Sequence, residues 1–231
     1  MAPRPLSRRA FLRSALGAGV AAAVGGAALI ARRIAIAAPT PSPLSPHARG
    51  GERGGVARYA LIIDTTRCVG CGACVKACNI RNNLPGGKSY IRIFPRGGEL
   101  DRWFLPVQCQ HCANPPCAHV CPTRATYRRS DGVVLINEKR CVGCKYCEVA
   151  CPYQARTFDE KRGVVDKCWL CLDDVLAGGE PACVQACVLG ARLFGRQDDP
   201  NSEVARLISS GEAKPLHPEF GTQPSVLYYI V

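Results

Sequence analysis

Aromatic side chains are scarce in these 231 residues, with two Trp, seven Tyr and six Phe. So few large rings argue against an extensive hydrocarbon core, and something other than apolar burial must hold the chain together. Also missing is any constellation for bond-making chemistry: no nucleophile sits with a base, and no glycine-rich loop cradles phosphate. No basic run carries interleaved aromatics, so the formal charge of +12 does not describe a nucleic-acid surface. The closing stretch "SVLYYIV" holds no apolar span. Membrane attachment would come through a partner or through residues 14–31.

What the chain has instead is cysteine, sixteen of them, beside 23 Gly and 18 Pro that predict short elements and many turns. The cysteines sort into four groups of four with none left over. Cys68, Cys71, Cys74 and Cys78 are spaced C-x2-C-x2-C-x3-C, and Cys141, Cys144, Cys147 and Cys151 repeat that spacing. Cys109, Cys112, Cys117 and Cys121 follow C-x2-C-x4-C-x3-C, and Cys168, Cys171, Cys183 and Cys187 follow C-x2-C-x11-C-x3-C. Pro122 and Pro152 directly follow the last cysteine of the second and third groups.

An even count admits disulfides or metal. Disulfides suit an exported protein, but adjacent C-x2-C repeats close loops too short to be useful staples. Zinc takes two separated knuckles, which only the fourth motif approaches. Three thiols at C-x2-C-x2-C can wrap one face of an iron–sulfur cubane, with Gly70, Gly72 and Gly143 letting backbone amides approach the sulfides. The fourth thiol, one helical turn later, points away and ligates a second cluster, as in two-cluster ferredoxins. Motifs exchanging their last cysteines in pairs then give four 4Fe-4S clusters. A 3Fe-4S centre would need a missing ligand, and none is missing.

The first residues are not fold. Ser7-Arg8-Arg9-Ala10-Phe11-Leu12-Arg13 resembles the twin-arginine export motif, which implies export of an already folded, cofactor-loaded protein. Residues 14–31 are Ala/Gly-rich, and Ala35-Ile36-Ala37 offers a small-x-small cleavage pattern. The reading is a signal peptide over 1–37; Arg32 and Arg33 before the cleavage site leave retention as an anchor open. Residues 38–56 read as a Pro/Ser/Gly linker in which His47 is solvated. Residues 1–37 hold six arginines and no acid, so their removal lowers +12 to +6. Four oxidised clusters at about −2 each would bring the loaded protein to roughly −2, making the basic excess a counterweight to buried negative cofactors.

Between the cysteines, "RYALIID" (58–64), "SYIRIF" (89–94) and "GARLFG" (190–195) read as strands. "ATYRRSDGVVLI" (125–136) and "ARTFDEKRGVVD" (155–166) read as hairpins, turning at Ser130-Asp131-Gly132 and Arg162-Gly163. A helix starts after Asp199-Pro200, with Val204, Leu207 and Ile208 on one face and Gly211 as its stop. The predicted class is α+β, a ferredoxin-like plan of strand, cluster loop, short helix and hairpin.

The stretches "CQHCANPPCAHVCPTRATY" (109–127), "DGVVLINEKRCVGCKYCEVACPY" (131–153), "VVDKCWLC" (164–171) and "PACVQACVLGARLFG" (181–195) carry a resemblance. So do "DDPNSEVARLI" (198–208) and "GTQPSVLYY" (221–229). The chain resembles the four-cluster iron–sulfur subunit of the dimethyl sulfoxide, polysulfide, thiosulfate and tetrathionate reductases and of the related nitrite-reduction subunit. That resemblance implies a nested ligand assignment. Cys68, Cys71 and Cys74 would share a cluster with Cys187, and Cys168, Cys171 and Cys183 one with Cys78. Cys109, Cys112 and Cys117 would join Cys151, and Cys141, Cys144 and Cys147 would join Cys121. An outer ferredoxin-like module (57–100 plus 160–200) would surround an inner one (101–159) within a domain spanning 57–231, with a C-terminal helix and tail at 198–231. Val188 stands where the family often has proline, a departure that would loosen a turn.

The resemblance further implies a non-catalytic electron-transfer subunit on the periplasmic face of the cytoplasmic membrane. Its partners would be a molybdopterin-type catalytic subunit and a polytopic quinone-handling membrane subunit. A cytochrome-linked redox complex with a multihaem partner, or a periplasmic hydrogenase, is the alternative. Beside the ligands, His111 and His119 either tune a cluster by hydrogen bonding or simply pack or face solvent, the plainer reading being preferred. Lys76, Lys145 and Lys167 either raise cluster potentials or are solvated, and Trp103 and Trp169 read as packing residues.

Overall fold

The computed structural model describes residues 58–230. The export signal and linker read in 1–56 lie outside the described residues. Along the chain run β1 (Tyr59–Asp64), α1 (Ala73–Arg81), β2 (Arg92–Arg96), β3 (Trp103–Val107), α2 (Pro116–His119), β4 (Thr126–Arg128) and β5 (Val134–Ile136). They are followed by α3 (Tyr146–Val149), β6 (Thr157–Asp159), β7 (Val164–Asp166), α4 (Leu172–Leu176), α5 (Ala182–Gln185), β8 (Arg192–Arg196), α6 (Glu203–Ser209), β9 (Lys214–Pro215) and β10 (Val226–Tyr229). One four-stranded sheet has the order β8-β1-β10-β9, and β2-β3, β4-β5 and β6-β7 are separate hairpins.

The apolar run of β1 serves both faces of that sheet, as period-2 alternation requires. Leu61 and Ile63 enter a core with Leu105, Val107, Tyr153, Val226 and Tyr228. Ala60 and Ile62 enter another with Val204 of α6 and Ala213. Both predicted hairpins form, with Gly132 and Gly163 in the left-handed region at φ 89° and 67°. Helix α6 buries Val204 and packs Leu207 and Ile208, and Gly211 (φ 75°) follows it.

Two parts of the sheet plan differ from expectation. The strand read at 89–94 is displaced to Arg92–Arg96, paired with the unforeseen β3. Each strand contains a proline, Pro95 or Pro106, which a two-stranded ribbon tolerates because both its outer edges are free of ladder bonds. Residues read as a C-terminal tail instead supply β10, which lies parallel to β1 inside the sheet. Its Tyr228 is fully buried, donates to the Pro106 carbonyl at 3.1 Å and accepts from Gln110 Nε2 at 3.1 Å. Just before it, the carbonyls of Thr222 and Gln223 accept from Asn114 and Ala113 at 3.1 and 2.7 Å, so the C-terminal segment braces the second cysteine loop.

The core is divided into small clusters, several of which contain cysteine, in keeping with the scarcity of aromatics. No disulfide joins any of the sixteen cysteines.

The residue before the second cysteine of each motif is left-handed: Gly70 (φ 70°), His111 (φ 43°), Gly143 (φ 67°) and Leu170 (φ 61°). At Gly143 a Cβ would lie 2.4 Å from the Gly163 carbonyl oxygen, whereas at Gly72 (φ 76°) it would meet nothing within 4 Å. Gly72→Ala is therefore expected to cost only the left-handed penalty of about 1–2 kcal/mol. Gly143→Ala adds a backbone clash, and a larger loss, about 3 kcal/mol or more, is expected in thermal melts of the loaded protein.

Candidate iron–sulfur sites

The local fold of each motif follows from its spacing. The third cysteine of each group sits in a helix, Cys74 on α1, Cys117 on α2, Cys147 on α3 and Cys183 on α5. The fourth comes four residues later: Cys78 lies one turn of about 5.4 Å further along α1, whereas Cys121, Cys151 and Cys187 lie just past the ends of their helices. After it the chain turns the same way in three motifs: Arg124, Gln154 and Gly190 each donate a backbone N–H to the carbonyl of Cys121, Cys151 or Cys187, at 3.0–3.1 Å. All three are left-handed. Val188 therefore does not open its turn, which closes like the two that carry proline.

Helix α1 packs against α5, and α2 against α3. This pairing brings the outer motifs together and, separately, the inner ones. Four cavities result, each lined by three cysteines of one motif and the last of its partner. Site A, of about 410 Å³ with its open mouth, is lined by Cys68, Cys71, Cys74 and Cys187. Site B, about 400 Å³, is lined by Cys78, Cys168, Cys171 and Cys183 together with Cys109. Site C, about 340 Å³, is lined by Cys109, Cys112, Cys117 and Cys151, and site D, about 310 Å³, by Cys121, Cys141, Cys144 and Cys147.

The sites are contiguous. Cys74 of A packs in one core cluster with Cys78, Cys168 and Cys183 of B. Cys109 lines both B and C, and Cys117 of C shares a core cluster with Cys147 of D. The order is A-B-C-D, and the exposed thiols belong to the ends: Cys71 in A and Cys144 in D.

The donor chemistry fits 4Fe-4S clusters. Among the described residues no three His, Cys, Asp or Glu side chains converge as a single-ion site. The thiols instead surround a space, as ligands of a cubane do and those of a zinc ion do not. Hydrogen bonds already reach the sulfurs: Asn82 Nδ2 to Cys78 and the amides of Ala155 and Leu170 to Cys151 and Cys168, all at 3.4 Å, and Thr126 N to Cys121 at 3.5 Å. Such donors stabilise thiolate and raise the potential of a bound cluster.

Burial pushes the Cys78 and Cys112 thiols up to about 12 and holds Cys168 well above the ordinary range, with neighbouring thiols adding to the effect. Cluster assembly must expel these protons. At Cys121 burial also acts upward, but the hydrogen bonds from Thr126 and Thr123 outweigh it and the thiol lies below its usual value.

The residues beside the ligands separate clearly. Lys167, one of three lysines for which solvation was an open reading, is buried: its ammonium donates to the carbonyls of Val134 and of Cys168. His111 is buried and its Nδ1 accepts from Val134 N at 3.2 Å, whereas His119 is exposed. Lys145 lies over the Phe158 ring at 4.0 Å. Trp103 packs against the main core, and Trp169 packs between two core clusters.

Trp169 also donates through Nε1 to Asp166 at 2.7 Å. The same carboxylate accepts from Arg162 Nη2 at 2.7 Å and Lys167 N at 2.8 Å, which anchors the start of the fourth motif. Burial acts to raise its pKa, but hydrogen bonds from Tyr90, Trp169 and Arg162 win and hold it low. Its contribution is complete above the unfolded value of about 4 and is lost as pH falls through the depressed folded one. Asp166→Asn is expected to destabilise the loaded protein by about 2–3 kcal/mol in neutral-pH melts.

Sequence reasoning missed Arg156 and Arg192, both buried among these thiols. The available signal was positional, since each follows the last cysteine of its motif by five residues.

Comparisons with known proteins find iron–sulfur families and relatives. The family described as "4Fe-4S dicluster domain" matches residues 100–197, and that described as "4Fe-4S binding domain" matches 59–79. A tetrathionate reductase subunit of Salmonella typhimurium is 44% identical over 179 residues, covering 74% of this chain and 72% of that protein. Thiosulfate reductase electron transfer subunit PhsB of Salmonella typhi is 43% identical over 162 residues, covering 67% and 83%. Protein NrfC of Escherichia coli K12 is 38% identical over 229 residues, covering 95% and 93%. The chain belongs to the family of ferredoxin-type iron–sulfur subunits of the tetrathionate, dimethyl sulfoxide, thiosulfate and polysulfide reductases, and its sixteen cysteines fit four 4Fe-4S clusters.

Proposed function

We propose that the protein relays single electrons between a quinone-linked membrane subunit and a molybdopterin-type catalytic subunit of a respiratory oxidoreductase, and performs no bond-making chemistry itself. The observation that carries this reading is the contiguous row of four thiol-ringed cavities whose end members alone expose a cysteine. Each cavity's own quartet would hold one cluster, so that the outer motifs exchange last cysteines around the inner pair. When bound, these clusters supply reversible one-electron centres with potentials set by charge, hydrogen bonds and solvent.

The chain's own groups do the rest. Paired helices fix the quartets, and amides and Asn82 stabilise sulfur charge. Exposed apolar side chains lie in and beside the end motifs, Val69, Val188 and Leu189 at A and Val142, Tyr146 and Val149 at D. They are suited to seat one partner at each end. The twin-arginine motif supports a location on the periplasmic face of the cytoplasmic membrane, after export in the loaded state.

The test is a metal inventory of the complex purified anaerobically from membranes through a tag on this chain. Molybdenum or tungsten near one per chain is expected. Absence of both, with haem absorbance and iron far above four clusters' worth, would reassign the partner to a multihaem cytochrome.

A further inference from the structure

Three cations are buried among the thiols: Lys167 at 1% exposure, Arg192 at 4% and Arg156 at 5%. Among the described residues none of them forms an ion pair with a carboxylate, whereas the ion pairs that do form involve other arginines and His217. Burying an uncompensated charge costs several kcal/mol, so three of them in one small domain call for an anion at each place.

Their places are specific. Arg192 lines site A, and its Nη1 is 3.7 Å from Cys183 Sγ of site B. Lys167 donates to the Val134 carbonyl, in the wall of site C, and to the carbonyl of Cys168, a thiol of site B, at 2.7 Å for the latter. Arg156 lines site C, donates through Nη1 at 3.3 Å to the hydroxyl of Thr126, which lines site D, and leaves its Nη2 without any hydrogen-bond partner. One cation thus stands at each of the three junctions A/B, B/C and C/D. Arg156 and Arg192 hold equivalent positions in their motifs, five residues past Cys151 and Cys187, so the placement recurs.

We infer that Arg192, Lys167 and Arg156 are charge spacers, each raising the reduction potentials of the two clusters it separates and offsetting the repulsion between them. The inference rests on the four-cluster relay proposed above. Each cluster that accepts one electron gains one negative charge, and a fixed cation between neighbours favours that charge on both sides. Removing it should lower both flanking potentials and leave the distant ones in place.

The experiment is an EPR-monitored redox titration of the intact, iron-loaded complex carrying Arg192→Gln, Arg192→Lys or Lys167→Gln. For Arg192→Gln the reduction equilibria of the clusters in A and B are expected to fall about tenfold, or about 59 mV for one electron, while those in C and D stay fixed. Arg192→Lys keeps the charge and should keep the potentials. Lys167→Gln should move the affected pair to B and C. Loss of iron from the Gln form alone also supports a charge requirement. Unchanged potentials, an equal shift at all four clusters, or loss of iron from both the Lys and Gln forms would overturn the inference, the last by making the residue a packing element. Wild-type protein lacking four redox-active clusters would instead sink the underlying relay.

Discussion

Cys187→Ala is expected to remove the cluster of the first motif while leaving that of its own motif in place. Cys187 lines site A with Cys68, Cys71 and Cys74, whereas Cys168, Cys171 and Cys183 surround site B with Cys78. Cys183 lies on α5 and lines one cavity, whereas Cys187, past the end of that helix, lines the other. Iron should fall from about sixteen to about twelve per chain, the content of three cubanes. The EPR signal lost should be the one that Cys71→Ala also abolishes, and Cys78→Ala should abolish the signal lost in Cys171→Ala. A Cys187→Ala protein lacking the Cys171 signal would show that the motifs do not exchange ligands.

The second large effect is on stability. Stripping iron with a chelator under anaerobic conditions should unfold most of residues 58–230. The apolar clusters are small, and three of them use cysteines as members: Cys112 in the main one, Cys74 and Cys78 in a second, and Cys117 and Cys147 in a third. Metal-site binding energies of the order of 10 kcal/mol each match or exceed the 5–15 kcal/mol that stabilises an ordinary domain. The emptied protein would also bury three cations beside neutral thiols, since burial holds several of those thiols protonated. Loss of near-UV circular dichroism and rapid proteolysis between the cysteine motifs are expected. A stripped chain that melts cooperatively at the loaded protein's temperature would show that the polypeptide holds itself together.

What could be read from the sequence was whatever local spacing determines. The four cysteine groups, the two hairpins turning at Gly132 and Gly163, and α6 with Val204 inward all follow from periodicity and turn chemistry. The pairing of quartets came from family resemblance; Cys187 lines a cavity with Cys68, Cys71 and Cys74, and Cys78 lines one with Cys168, Cys171 and Cys183. Long-range pairing was not legible. Nothing local in "SVLYY" says that it will lie parallel to β1, whose pairing partner Leu61↔Val226 is distant in sequence. Pro106 disguised β3, and the burial of Lys167 depends on carbonyls contributed by both Val134 and Cys168. Arg156 and Arg192 could have been found by aligning the motifs on their last cysteine, because an Ala-Arg pair ends five residues later in both.

Whether four clusters each pass one electron is decided by an anaerobic reductive titration of the purified full chain, with iron and acid-labile sulfide measured on the same sample. About sixteen irons, about sixteen sulfides and about four electron equivalents per chain are expected. Zinc in place of iron, or iron for only two clusters with two electrons taken up, would contradict the four-cluster reading.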